Sequence, residues 1–318
     1  MKKPDAFSCC MMTLVGAIWG LHGPVIKFAF AAGFTFPQLV LGESLVAALI
    51  FGGVVVVRGT RPPTDRRDWV TLLAAGVFTG GVPLFLFWAY RLGPVPIGAT
   101  LFFLYVPFTQ VINVAATRRL PAPREIVSAA LVVVGAVLAT DFFDQANAAN
   151  LHGAPFAVLA ALCFAVSFVL NARLGQAATP AFRSCVCGTV ASVEVLAIAL
   201  VVGWPLVPTG IAPWRIVAWM TSLGAFWQVI PLFLLMSFIA RTGSGLGSIL
   251  TSSELPVAVI AAALILGDHI RLSQSLGIAL VLAGIVLPQL PRRPLVPGGS
   301  AVAGIPAAPA PSVPPGTT

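Results

Sequence analysis

Charge is what this sequence has least of. Only 9 % of its 318 residues are Asp, Glu, Lys or Arg, against roughly 25 % in an average globular domain. A soluble fold of this length could not cover its surface with so few. Histidine is scarcer still, with three in the chain, and no HExxH or other metal-ligand spacing occurs. No P-loop is present, which argues against ATP-driven pumping. The five cysteines, Cys9, Cys10, Cys163, Cys185 and Cys187, contain no CxxC. Three fall in apolar runs, so they read as small apolar helix residues rather than a disulfide framework. Disorder is excluded as well, because disordered chains are poor in apolar residues and rich in charge.

Apolar residues fill the space that charge leaves. They make up 58 % of the chain, and the mean hydropathy is +0.98. Apolar runs fall at about 11–31, 38–57, 69–90, 97–116, 125–143, 153–171, 184–203, 216–239, 246–266 and 273–290. Each is near the roughly 20 residues that cross a bilayer as a helix. None alternates as barrel strands do. The expected fold is an all-α polytopic membrane protein of ten transmembrane helices. Met1-Lys2-Lys3 followed by an apolar stretch resembles a signal peptide, but the stretch runs on to Ala31, too long for a leader core, and reads as the first span. Residues 291–318, with eight prolines among small residues, form a low-complexity tail.

Ten spans put both termini on one side and sort the loop charges. Fourteen of the 18 Lys and Arg, Arg66 and Arg183 among them, fall on the side of the termini. Three, Arg91, Arg215 and Arg271, fall opposite, and Lys27 lies within the first span. The positive-inside rule then makes the termini cytoplasmic. The net charge of +8 is spread between apolar runs, which argues against nucleic acid as a partner.

The chain also repeats itself. Val82-Pro83-Leu84-Phe85-Leu86 returns as Ile230-Pro231-Leu232-Phe233-Leu234, at an offset of 148. Pro107 returns as Pro256, and the segment from Ser128 through Gly135 to Leu138 returns as Gly277 through Gly284 to Leu287, both at 149. The unit holds five spans. Five is odd, so the second copy enters the membrane inverted, an arrangement found in secondary transporters with a site near the midplane between the halves. The expected organisation is a first repeat over 1–143, an inverted second repeat over 144–290 and the tail over 291–318.

Several of these segments resemble one family. Trp19-Gly20 followed by Lys27 is similar to the opening span of EamA-like proteins of the drug/metabolite transporter superfamily. Glu254 with Leu255-Pro256-Val257, then Leu266-Gly267-Asp268-His269-Ile270, then the Gly277–Gly284 segment, resemble the family's repeat ending. Arg118-Arg119 stand where copy one of the family carries an acidic residue, and Glu43 stands where a basic one is common. The resemblance, over about 11–290, implies a ten-helix carrier of small metabolites, often an exporter, in a bacterial inner membrane.

Ionisable groups inside spans are expensive, which makes them functional candidates. Glu43, Glu194 and Glu254 are the embedded carboxylates. Glu254 stands two residues before Pro256, which removes an intrahelical hydrogen bond and is expected to free a carbonyl for a cation or a substrate amine. The alternative for each carboxylate is a structural pairing with Lys27 or an Asn. Lys27 either snorkels to the outer headgroups or serves as counter-ion to Glu43 or to an anionic substrate. His22 is either a proton relay or an interface histidine. Trp19 and Tyr105 are candidates to stack on a substrate, Tyr105 because it is the repeat equivalent of Glu254. Tyr90, beside Arg91, reads as part of the interfacial aromatic belt. The pairs Gly16/Gly20 and Gly76/Gly80 read as close-packing signals. No cofactor and no metal is called for. Expected partners are a small-molecule substrate of unknown identity and membrane lipid, with a homodimer allowed. The leading function is a secondary active exporter working by alternating access, with proton coupling open. The alternatives are a channel or non-transporting membrane protein and, less favoured, a membrane enzyme.

Overall fold

The computed structural model describes residues 5–60, 62–93, 95–118, 120–140, 142–145, 148–175, 177–266 and 271–290. The tail 291–318 and the charges at Lys2, Lys3, Asp141 and Asp268 lie outside these. Among the described residues the chain is helical throughout, with no strand. In order the α-helices are α1 (Ala6–Ala31), α2 (Phe36–Arg58), α3 (Arg66–Leu92), α4 (Val95–Phe102), α5 (Tyr105–Thr117), α6 (Pro123–Ala139) and the short α7 (Phe142–Gln145). Then come α8 (Ala154–Leu174), α9 (Pro180–Val202), α10 (Pro213–Leu223), α11 (Ile230–Thr242), α12 (Ser244–Thr251), α13 (Glu254–Leu266) and α14 (Leu272–Val286). Nine helical stretches among the described residues are long and apolar enough to cross a membrane. The tenth, α6, has 17 residues, about 26 Å at 1.5 Å per residue, close to the hydrocarbon thickness. The ten-span reading therefore stands.

Turn chemistry sets several boundaries. Thr35 caps α2, with its backbone N–H donating to Gln38 Oε1 at 2.9 Å and Pro37 in the first turn, and Gly59 ends it at φ 57°. Asp65 caps α3 by accepting from Arg67 N. Thr179 caps α9, again followed by proline.

Two spans expected as single helices are broken. Span 4 is α4 and α5, interrupted at Phe103-Leu104; span 9 is α12 and α13, interrupted at Ser252-Ser253. The two breaks carry the same offset as Pro107 and Pro256, so they occupy the same place in both repeats. Those prolines are the cause, since neither can donate back into the helix. The expectation of freed carbonyls needs correction. Phe103 O accepts from Val106 N at 3.1 Å, and Ser252 O accepts from Leu255 N at 3.1 Å. Tighter i→i+3 bonds take up what the prolines release. Span 8 differs from span 3 in another way: Gly224–Val229 forms a π-turn between α10 and α11, whereas α3 is continuous.

Helix contacts show the inversion directly. A Cβ on Gly135 of α6 would lie 2.7 Å from Gly277 O and 2.7 Å from Val281 of α14. A Cβ on Gly284 would lie 2.9 Å from Ser128 O and 3.0 Å from Val132. The repeat exchanges these two sets: Gly135 becomes Gly284, Gly277 becomes Ser128 and Val281 becomes Val132. The pairs run in opposite directions along the two helices, so α6 and α14 are antiparallel copies. The same exchange relates Gly76 against Val190 to Gly224 against Val46. It fixes the register of two further pairs of spans, with Gly76 of span 3 matched to Gly224 of span 8 and Val46 of α2 matched to Val190 of α9. Gly16 and Gly20 seat α1 on Thr251 O and Glu254 O, and Gly76 and Gly80 seat α3 on α9.

Candidate functional site

The junction of the halves is built around span 9. Its break lets α1 approach closely, and Ser253 Oγ donates to Thr13 O at 2.6 Å across that contact. Glu254 is the first residue of α13. The partial positive charge at a helix N-terminus favours a carboxylate there. Tyr105 opens α5 in the same way and is fully buried. Its hydroxyl lies 3.2 Å from Thr251 Oγ1 and 3.4 Å from Ser252 Oγ, so the break of one repeat is bonded to the start of the other's second half-helix.

His22 and Glu43 form the central pair. His22 Nε2 lies 3.0 Å from Glu43 Oε1, with the two side chains 20 % and 8 % exposed. With Nε2 protonated, the ring donates to the carboxylate. Trp227, lifted by the π-turn of span 8, stacks on His22 at 6.1 Å between ring centres. Its indole N–H is buried, with no hydrogen-bond partner among the described residues. Glu254 directly follows the break, with its carbonyl against Gly20 of α1. Trp19, half-buried, meets Phe164 edge-on at 5.8 Å, and Phe164 meets Tyr105 at 4.8 Å. The structure thus gathers His22, Glu43, Glu254, Tyr105 and Trp19 at one junction of spans 1, 2, 4, 6 and 9.

Two candidates fall elsewhere. Lys27 is on an exposed face of α1; the partner of Glu43 is His22, not Lys27. Glu194 lies between spans 3, 6 and 7. Its Oε2 sits against Gly80, where a Cβ would clash with it, and is buried with no hydrogen-bond partner among the described residues. Cys163 is its electrostatic neighbour. Tyr90, in the last turn of α3, packs its ring on Gly98.

Two residues escape the sequence reading. Trp227 carries no charge and sits in an apolar run, and π-turns have no sequence signature comparable to a cap. Arg183 counts with the loop charges by its position in the sequence, whereas it lies inside α9 and is 1 % exposed. Its Nη1 donates to Asn171 O at 2.9 Å and its Nη2 to Met236 O. Asn171 is in the last turn of α8, where cations complement unpaired carbonyls and the helix dipole. The charge is thereby spent on backbone carbonyls.

Two five-span halves packed as inverted copies, with a polar cluster at their junction and broken helices beside it, define a polytopic membrane protein of transporter architecture. The EamA-like transporter family matches residues 6–140 and 151–288, one copy per half, and the chain belongs to that family. No curated protein matches the sequence. Among solved structures, 29 chains match. One, a crystal structure of a protein, is similar with a TM-score of 0.71 at 16 % identity, over 88 % of this chain and 98 % of its own. At that identity the likeness concerns the fold.

Proposed function

We propose that the protein is a secondary active exporter of a small metabolite, working by alternating access between its two halves. The observation that carries this reading is the His22–Glu43 pair at the inter-half junction, with Trp227 of the other half stacked on its imidazole. Carboxylates and imidazoles inside a membrane are costly and concentrate on substrate and ion paths. The pair can hold or release a proton as the halves rearrange, which is the basis for coupling export to proton entry. Trp19 and Tyr105 supply flat surfaces for the apolar part of a substrate. A cavity of about 420 Å³ lies between the α1–α2 turn and α10, lined by Phe34, Trp214 and Trp219 among others. On this reading it is the outer mouth. Loop charge supports placing both termini in the cytoplasm of a bacterial inner membrane. The chain acts as a carrier and not as an enzyme.

A thermal-shift screen of small metabolites on the purified protein tests the site. A ligand present at a hundred times its Kd stabilises the folded state by about 2.7 kcal/mol. A metabolite that raises the Tm of the native chain, but not of Glu254→Gln, supports the site. A metabolite that raises both equally removes Glu254 from it.

A further inference from the structure

The repeat relates the cluster of His22, Glu43 and Trp227 to a second cluster in the other half of the membrane. Gly16, Trp19 and Gly20 of span 1 become Ala161, Phe164 and Ala165 of span 6, and Trp19 meets Phe164 across the axis. The registers of spans 2 and 3 against their copies follow from the glycine contacts. Applied to the first cluster, these registers turn His22 into Ser167, Glu43 into Cys187 and Trp227 into Thr79. Two of the counterparts also touch, and the third lies on the neighbouring helix. Thr79 Oγ1 lies 2.7 Å from Ser167 Oγ, and Cys187 is on α9, which packs on α3 through Val190 against Gly76. Ser167 is 4 % exposed and Cys187 0 %.

We infer that Thr79, Ser167 and Cys187 are positioning residues of the transport cycle, forming an inner latch that is the inverted copy of an outer latch made by Trp227, His22 and Glu43. This rests on the alternating-access reading. The outer latch ties α1 and α2 to span 8, and the inner one ties α8 to α3, on which α9 packs through Val190 against Gly76. His22 is 16 residues, about 24 Å, from the start of α1, and Ser167 is 13 residues, about 20 Å, from the start of α8 on the opposite face. The inversion therefore places the latches on opposite sides of the midplane. If the halves exchange conformations, they exchange latches, and opening one side requires releasing only its own. The latches are bonded differently. The outer one uses an ionisable pair, whereas the inner one uses a pair of hydroxyls with the buried Cys187 thiol on the neighbouring helix and Arg183 bonded to Asn171 and Met236 one turn away.

Cys187 is a native probe of the inner latch. The full chain in proteoliposomes is treated with N-ethylmaleimide, and modification is followed peptide by peptide by mass spectrometry, with exposed Cys10 as internal reference. Thr79→Val, which keeps the shape and removes the hydroxyl, should speed Cys187 labelling at least threefold. Glu43→Leu, which removes the outer pair, should slow it at least threefold by biasing the chain toward the outward-open form. Opposite signs support the latches. Misfolding would raise labelling in both variants; that outcome, or no change in either, overturns the inference. Counterflow of a thermal-shift hit in the same vesicles separates the two levels. Reciprocal labelling without counterflow sinks the carrier reading and leaves the latches. Counterflow without reciprocal labelling does the reverse.

Discussion

Gly135 and Gly284 are repeat equivalents, and each lies against the helix that carries the other. The first faces the Gly277 carbonyl and the second faces Ser128. The α6–α14 contact is thus one surface used twice. In a membrane, where apolar side chains gain little from leaving lipid, such contacts depend on small residues that let backbones approach. Gly135→Leu and Gly284→Leu should each destabilise the protein by about 1–3 kcal/mol, the range for overpacking. Thermal unfolding in detergent checks this, and an unchanged Tm for both would mean that the helices do not meet there.

The His22–Glu43 pair should behave as a unit. Removing one partner leaves the other a largely buried polar group without its hydrogen bond, which costs about 1–3 kcal/mol; with His22 20 % exposed, the lower end is expected. His22→Leu should therefore lower the Tm more than the double variant His22→Leu with Glu43→Leu. A double-mutant cycle that is additive would show that the two side chains do not interact.

Much of this arrangement is legible in the sequence. The count of spans, the repeat and its inversion follow from apolar run length, charge parity and the shared offset of Pro107 and Pro256. The breaks in spans 4 and 9 are signalled by those same prolines. The fate of their carbonyls is not, because a proline reports a lost donor and says nothing of the 3₁₀ bond that takes its place. His22, Glu43, Glu254, Tyr105 and Trp19 are recognisable from the cost of burying polar groups or from repeat position. Their pairing is not, since Lys27 is as near to Glu43 in sequence as several alternatives. Arg183 is hidden for a related reason. An arginine at the end of an apolar run looks like a loop charge, and only the fold reveals the carbonyls of Asn171 and Met236 that receive it.

Arg183→Lys should not be tolerated as a conservative change. A lysine cannot span two carbonyls with a planar fork, and hydrogen bonds from charged donors contribute about 1.5–3 kcal/mol each. We expect a loss of about 2 kcal/mol, in line with one such bond, read as a lowered Tm in detergent. Full stability in the lysine variant would show that the two contacts add little.

Topology is checked by impermeant thiol labelling of otherwise cysteine-free chains in intact cells. Asp144→Cys should react from outside, and Arg66→Cys only after the membrane is opened. The reverse pattern overturns cytoplasmic termini.

Counterflow tests the central claim most directly. Proteoliposomes are loaded with an unlabelled hit from the thermal-shift screen, and entry of a trace of the radiolabelled compound is followed. A carrier that alternates between two halves predicts that the internal pool accelerates labelled entry and drives its transient accumulation, and that Glu254→Gln abolishes both while still inserting. Entry that is indifferent to the internal pool, or that runs as uncoupled conductance, would contradict alternating access.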